Sequence, residues 1–240
     1  MLKRIFREIT PPIVWRAAKR LIGRPLPASY QGVSTPHSMD ALHSGRFREI
    51  FEKYLPLDPF RDKNDIRLRV YNVCHFAQHA LRAPGDFVFA GVSFGVTPRV
   101  AHEYLDFQSR DRSFHLVDPF SGVNNAADPS LNPEYNADVE YVRKQYSSQA
   151  RIVFHRVFIP DGLPLIGVRK LAFVHLNTSD ARGEAAALSY LYECLSPGGL
   201  IVIDLYAFSP GHQSHYAQAI EALGVTPFCM VSGQAVIMKP

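Results

Sequence analysis

The sequence predicts a doubly wound α/β fold with a seven-stranded sheet, mostly parallel and closed by a C-terminal antiparallel hairpin. Three observations predict it. The stretch P-G-D-F-V-F-A-G-V-S-F-G, from Pro84 to Gly95, sets the apolar run Phe87–Ala90 between a Pro-Gly turn and two glycines. So short a run, rich in aromatic and β-branched residues, reads as a buried parallel strand. From there onward short apolar runs alternate with helical patterns, as successive β/α units do. Two last apolar runs, Phe228–Val231 and Ala235–Met238, flank Ser232-Gly233, which reads as a hairpin turn.

Taken in order, the chain begins with a basic arm. Thr10 caps a helix starting at Pro11, and Gly23 ends it. Ile13, Val14, Ala17, Leu21 and Ile22 share one face, with Trp15 near its boundary. Up to Arg24, seven basic residues stand against Glu8 alone; the whole chain carries +4, so the remainder is slightly acidic. That asymmetry argues against a nucleic-acid-binding catalytic domain. A basic amphipathic helix with a tryptophan suits the headgroup region of an anionic membrane. It equally suits docking on the domain or on a sister subunit. Residues 1–24 are therefore a candidate for peripheral contact with the inner membrane face and for homo-oligomer contact. Residues 24–40, rich in Pro, Ser and Gly, read as a linker or flap, which closes a first region at 1–40.

Residues 41–83 read as a helical cap, with helices over 41–54 and 62–83; the second carries Ile66, Val70, Cys74, Ala77 and Leu81 at helical spacing. The remaining region, 84–240, holds the sheet. Thr97 and Pro98 read as the N-cap and first position of its first helix. Strands follow over Ser113–Val117, ending in Asp118, then Arg151–Phe154, Leu171–Leu176 and Leu200–Asp204. Helices fall over Tyr135–Tyr146, Gly183–Cys194 and 213–223.

A chain of 240 residues, 47% hydrophobic and 20% charged, has the composition of a soluble globular protein. Its three cysteines form no C-x-x-C, which suggests neither a zinc site nor a disulfide framework and places the protein in a reducing, cytoplasmic setting. No run of eighteen apolar residues exists, and Pro11 and Pro12 interrupt any signal-peptide core.

The glycines read G-x-x-x-G, Gly91 to Gly95, and not the G-x-G-x-x-G that presses against a pyrophosphate. This spacing suits a ligand without one, such as S-adenosylmethionine, and argues against a nicotinamide oxidoreductase. Gly91 and Gly95 frame the loop, and Ser93 lies inside it. Asp118 ends its strand where a carboxylate accepts hydrogen bonds from a ribose; the alternative is a capping aspartate before Pro119.

From Pro84 to the C-terminus the chain resembles the class I S-adenosylmethionine-dependent methyltransferases, whose sheet is Rossmann-like. Within them it resembles the macrocin O-methyltransferase family, whose members methylate sugar hydroxyls on natural products. The resemblance is carried by P-G-D-F-V-F-A-G-V-S-F-G, F-H-L-V-D-P-F-S-G, D-G-L-P, F-V-H-L-N and L-Y-E-C-L-S-P-G-G-L-I-V-I-D. It implies that Gly91, Ser93 and Gly95 cradle the methionine portion of the cofactor and that Asp118 takes its ribose. Adenine would lie near Phe158, Asp161 and Gly162, although Phe158 also suits the core. The acceptor implied is a small molecule or glycan.

Several family acids are replaced. Phe89 stands where an acid commonly precedes the glycine loop. Asn177 and Ser179 stand where the family places two magnesium-holding aspartates, and Leu205 stands beside the retained Asp204. Magnesium prefers hard oxygen ligands, usually including carboxylates, so the sequence leaves at most a weak site from Asn177 and Asp204 with Asp180. Without a metal, an alcohol acceptor needs a general base. Asp204 and His175 at neighbouring strand ends are the candidates, with His212 and His215 in the segment that follows; His175 also suits a structural role in its strand. Two functions remain: an O-methyltransferase acting on a sugar or glycosylated acceptor, or a degenerate relative that binds cofactor or a partner as a scaffold.

Overall fold

The computed structural model describes residues 38–59, 61, 65–120, 138–146 and 151–240, together with the backbone of two short strands before them. The basic arm lies outside the described residues. Within the Pro/Ser/Gly stretch, Ala28–Tyr30 (β1) and Val33–Thr35 (β2) pair antiparallel.

The main sheet contains β3 (Asp86–Ala90), β4 (Phe114–Val117), β5 (Ile152–His155), β6 (Leu171–Leu176), β7 (Leu195–Ile203), β8 (Phe228–Cys229) and β9 (Ala235–Met238). Their order is β5-β4-β3-β6-β7-β9-β8. Only β9 runs against its neighbours, pairing antiparallel with β7 and β8. The chain leaves β3 toward β4 on one side and later returns to β6 on the other. That reversal opens a crevice at the carboxyl ends of β3 and β6, where open α/β sheets receive their ligands.

The central strands β3, β4, β6 and β7 are largely buried on both faces, and residue alternation sorts their side chains between two cores. Phe87, Phe89, Phe114, Leu116, Phe173 and Val202 face one core, shared with α1 (Gly45–Tyr54), α2 (Arg67–Ala80), α3 (Val96–Tyr104) and α4 (Val139–Lys144). Val88, Ala90, Val174, Leu176, Ile201 and Ile203 face the other, covered by α5 (Ala181–Cys194) and α6 (Pro210–Ala222). Phe89 is wholly buried, its ring 4.7 Å from Phe114 and 5.6 Å from Phe173. The position that resembles an acidic one is therefore filled by apolar packing, worth roughly 1.5–3 kcal/mol for such a side chain. On α2, Val70, Val73, Cys74, Ala77 and Ala80 form the buried stripe. The small residues in that stripe let the helix axis approach β6 and β7.

The strand and hairpin expectations hold in kind, and the boundaries shift for local reasons. α1 starts only at Gly45, after a 3-10 turn at Asp40–Leu42. α5 and α6 start earlier than expected because Asp180 and Ser209 cap them, accepting from the amides of Gly183 at 3.0 Å and His212 at 3.2 Å. β7 starts at Leu195 because the Pro-Gly-Gly turn belongs to the ladder: Gly198 N–H donates to the Lys239 carbonyl at 2.8 Å. Thr97 does not cap α3. Gly95, at φ +90°, is the N-cap, so Thr97 and Pro98 lie inside the first turn. A proline fits there because first-turn amides have no partner within the helix.

Gly91 fixes the crossing of two rim loops. It sits at φ +85°, and a Cβ there would lie 2.0 Å from the Asn177 carbonyl oxygen. Gly167, at φ +72°, has open space around it. Gly167→Ala therefore meets only the backbone penalty of about 1–2 kcal/mol, a fall in Tm of roughly 2–8 °C. Gly91→Ala is expected to lower Tm much further or to abolish folding. Equal shifts for the two variants in thermal melts would disprove the crossing.

Candidate active site

Register aligns four residues along one edge of the sheet. Ala90, Val117, Leu176 and Ile203 end their strands side by side. The next residues continue the ladder: Asp118 N–H donates to the His155 carbonyl (3.1 Å), Gly91 to Val117 (2.9 Å), Asn177 to Ala90 (2.8 Å) and Asp204 to Leu176 (2.9 Å). Asp118, Gly91, Asn177 and Asp204 thus form a row across the crevice. Three non-glycine residues just beyond it hold positive φ: Ser93 (+52°), Phe120 (+49°) and Ser179 (+63°). Backbone strain of this kind collects at functional sites.

The glycine loop is braced from two sides. Asp118 Oδ2 accepts from the amides of Val92 (2.8 Å) and Ser93 (3.3 Å), and Oδ1 accepts from Phe120 (2.7 Å). Burial raises this carboxyl's pKa above its ordinary value, against the pull of those three amides. Oδ2 carries two hydrogen bonds, so the remaining acceptor position lies on Oδ1. From α4, Gln145 Nε2 donates to the Phe94 carbonyl at 2.9 Å. Gly91 and Ser93 are half-buried, and Gly95 is buried. Beyond β5, Phe158 is 57% exposed and Asp161 is also exposed. Phe158 is therefore not a core residue, and its ring is free to stack.

Asp204 is 5% exposed and heavily engaged. Its Oδ2 accepts from Arg69 Nη1 at 2.7 Å, and Oδ1 accepts from Gln234 Nε2 at 2.6 Å. His175 Nε2 lies 3.4 Å from Oδ1. Burial pushes the Asp204 pKa up, but the Arg69 charge, His175 and Gln234 outweigh it and hold the carboxyl at about 2. Gln234, wholly buried, uses its whole amide: Nε2 also donates to the Arg69 carbonyl (3.2 Å), and Oε1 accepts from Asn72 (2.9 Å) and Ser232 (2.8 Å). This network ties α2 to the end of β7 and to the turn before β9.

The expectation of Asp204 as general base is accordingly revised, since a carboxyl held at about 2 by a guanidinium is a poor proton acceptor at neutral pH. His175 is 0% exposed, with the Phe89 ring 5.5 Å away; neither ring nitrogen makes a well-aligned hydrogen bond, and Nε2 only approaches Asp204. His212 is half-buried, its Nδ1 2.9 Å from Ser209 Oγ, and His215 is exposed. Phe208, in the turn between Asp204 and α6, is 71% exposed, with its ring 5.2 Å from His212.

The donor set does not fit a hard divalent cation. Asp204 is already ion-paired with Arg69 and accepts from Gln234 on its other oxygen, Asp180 Oδ1 caps α5, and Asn177 is neutral. Among the described residues no group of three His, Cys, Asp or Glu could hold a metal. Sequence reasoning missed Arg69, Asn72 and Gln234. The available signal was Asp204 itself, a strand-end carboxylate that demands a cation; its partner lies 135 residues away. Glu184 was also missed: its Oε2 accepts from Tyr216 at 2.6 Å, its Oε1 from Thr178 Oγ1 at 2.9 Å, and burial raises its pKa.

The strand order, the glycine loop at the reversal and the acid ending β4 define the Rossmann-like methyltransferase class. Within it, the chain belongs to the macrocin O-methyltransferase (TylF) family, whose model matches residues 65–237. It is 27% identical over 158 residues to the mycinamicin III 3''-O-methyltransferase of Micromonospora griseorubida, a match covering 58% of this chain and 62% of that protein. The match therefore spans about three-fifths of that relative's length. Among solved structures, the O-methyltransferase NovP is similar with a TM-score of 0.62 at 19% identity, over 71% of this chain and 79% of NovP. CalS11, a TDP-rhamnose 3'-O-methyltransferase of calicheamicin biosynthesis, gives a TM-score of 0.55 at 15% identity, over 83% and 90% of the two chains.

The Asp204 pair has a signature in acid. Its pKa falls from 3.8 to about 2 on folding, so its contribution is fully present above pH 3.8 and is lost as pH falls through about 2. The size is on the order of 2 kcal/mol. Asp204→Asn leaves the Arg69 charge buried without its counter-ion and should cost about 3–5 kcal/mol at neutral pH. In urea titrations the gap between wild type and variant should narrow as pH falls from 3.8 toward 2; a constant gap would refute the coupling.

Proposed function

We propose that this protein is an S-adenosylmethionine-dependent O-methyltransferase acting on a hydroxyl of a sugar or glycosylated small molecule. The observation that carries the reading is the row Asp118, Gly91, Asn177 and Asp204 across the crevice, with the braced glycine loop above it. S-adenosylmethionine, when bound, supplies a methyl group activated on a sulfonium.

The residues at the rim fit that cofactor. Half-buried Gly91 and Ser93 lie at the topological reversal, the free acceptor position of Asp118 Oδ1 suits a ribose hydroxyl, and Phe158 with Asp161 offers a face and an acceptor for adenine. The acceptor side is built by the segment after Asp204, where Phe208 and His212 stand together. An exposed ring beside a polar imidazole suits the apolar face and hydroxyl edge of a sugar. His212 is the residue there able to take a proton from the acceptor. The relatives support a sugar in this place: macrocin and mycinamicin enzymes on the sequence side, and a TDP-rhamnose enzyme on the structural side. Holding the two reactants in near-attack geometry can supply roughly 7–11 kcal/mol of the barrier, which suits a rim whose loops are this firmly braced.

Calorimetry with S-adenosylmethionine and methyl transfer to a panel of glycosylated acceptors test the proposal. Asp118→Ala should weaken cofactor binding by roughly 10- to 100-fold, because a charge-assisted hydrogen bond and the loop brace go together. Phe208→Ala should raise the acceptor KM about tenfold and leave cofactor affinity alone. Cofactor binding with no methylation of any acceptor would favour the scaffold reading.

A further inference from the structure

We propose that Arg69 supplies the positive charge that a divalent cation would otherwise bring to this rim, so that a protein guanidinium holds the acceptor side and methyl transfer proceeds without metal. The inference rests on the methyltransferase reading and concerns how that same site is held.

Three observations carry it. First, the guanidinium is already paired with the carboxylate: Nη1 lies 2.7 Å from Asp204 Oδ2 while Gln234 Nε2 donates to Oδ1, so a second cation would have to share Asp204 with a fixed positive charge. A guanidinium stays charged at every accessible pH, and a like charge a few ångströms away is repelled strongly at a site shielded from water. Second, Arg69 is fixed as a ligand is fixed. Its main-chain carbonyl accepts from Gln234 Nε2, which also holds Asp204, and Asn72 on the same helix donates to Gln234 Oε1. Third, the guanidinium is not sealed in. The Arg69 side chain keeps 17% of its surface against 5% for Asp204, and its Nε–H is buried with no partner. The residues that would have balanced a metal's extra charge are neutral: Asn177, Ser179 and Leu205.

In the transfer, a lone pair of the acceptor oxygen forms the new C–O bond as the C–S bond breaks. That bond's electron pair stays on sulfur, which becomes a neutral thioether, and the hydroxyl proton passes by way of His212 to solvent. Arg69 is a positioning residue in this scheme: it fixes Asp204 and the local charge while the oxygen loses its proton.

The test combines metal binding, turnover and substitution. Electron paramagnetic resonance with Mn2+ should show the free-ion signal undiminished by wild-type protein, with or without S-adenosylmethionine. Turnover should survive a chelator. Arg69→Ala should lower kcat roughly 100-fold, the cost of a misplaced reacting group, with cofactor affinity unchanged by calorimetry and with partial rescue by added guanidinium ion. Arg69→Lys, which keeps the charge and loses the planar fork, should fall between the two and serves where the alanine variant does not fold. Stoichiometric Mn2+ binding by wild type, loss of turnover on chelation that magnesium reverses, or wild-type kcat in either Arg69 variant would overturn the proposal. Absence of cofactor binding by wild type would instead overturn the methyltransferase reading beneath it.

Discussion

A carboxylate buried at the end of a strand must be compensated by a cation or by hydrogen-bond donors, and much of this molecule is arranged around the cation that Asp204 finds. Leaving such a charge uncompensated in the interior costs several kcal/mol. The cation comes from Arg69 at the start of α2, before the sheet in sequence, and the remaining oxygen is covered by Gln234 at its far end. Two segments that share no local signal are thereby pinned to one atom group. The same pin places α2 over β6 and β7, where its small residues allow close packing. Apolar burial supplies the attraction between helix and sheet, and the ion pair fixes how they register.

The opposite side of the crevice uses the same device with a different donor. Asp118 is buried too, yet it is met by backbone amides and no cation. Amides shape a loop, whereas a guanidinium anchors a helix. The consequence is a rim with two acids in two electrostatic states: one raised by burial and bound by the amides of the glycine loop, one lowered by a fixed charge from α2. The two ends of the row are distinguished electrostatically by the fold itself.

Sequence made the sheet legible because strands buried on both faces are written as short apolar runs, and Leu171–Leu176 is bounded by residues that announce their ends. The glycine-loop half of the rim was legible for a related reason: Gly91, Ser93 and Asp118 lie at strand ends, and strand ends can be counted. Thr97 misled because Gly95 enters the helix through a left-handed conformation, which a Thr-Pro pair two residues later obscures. Ser209-Pro210 was an available cap signal that the reading of 213–223 passed over. The surroundings of Asp204 were illegible in a deeper sense. Arg69 carries the spacing of an exposed residue beside the apolar stripe of α2, and only the fold turns that position toward Asp204.

Charge balance connects Phe89 to this picture. An acid at its position would lie beside His175 in the register and would add a second negative charge on the far side of that ring from Asp204. With Phe89 there, His175 meets an aromatic ring on that side, and the β6–β7 half of the row carries one acid. One acid is neutralised by one guanidinium. A divalent cation would leave that half with excess positive charge in a place shielded from water, which the Asn177, Ser179 and Leu205 replacements do nothing to offset. The neutral Asn177, Ser179 and Leu205 and the Arg69–Asp204 pair therefore belong to a single electrostatic state, in which one guanidinium balances one acid.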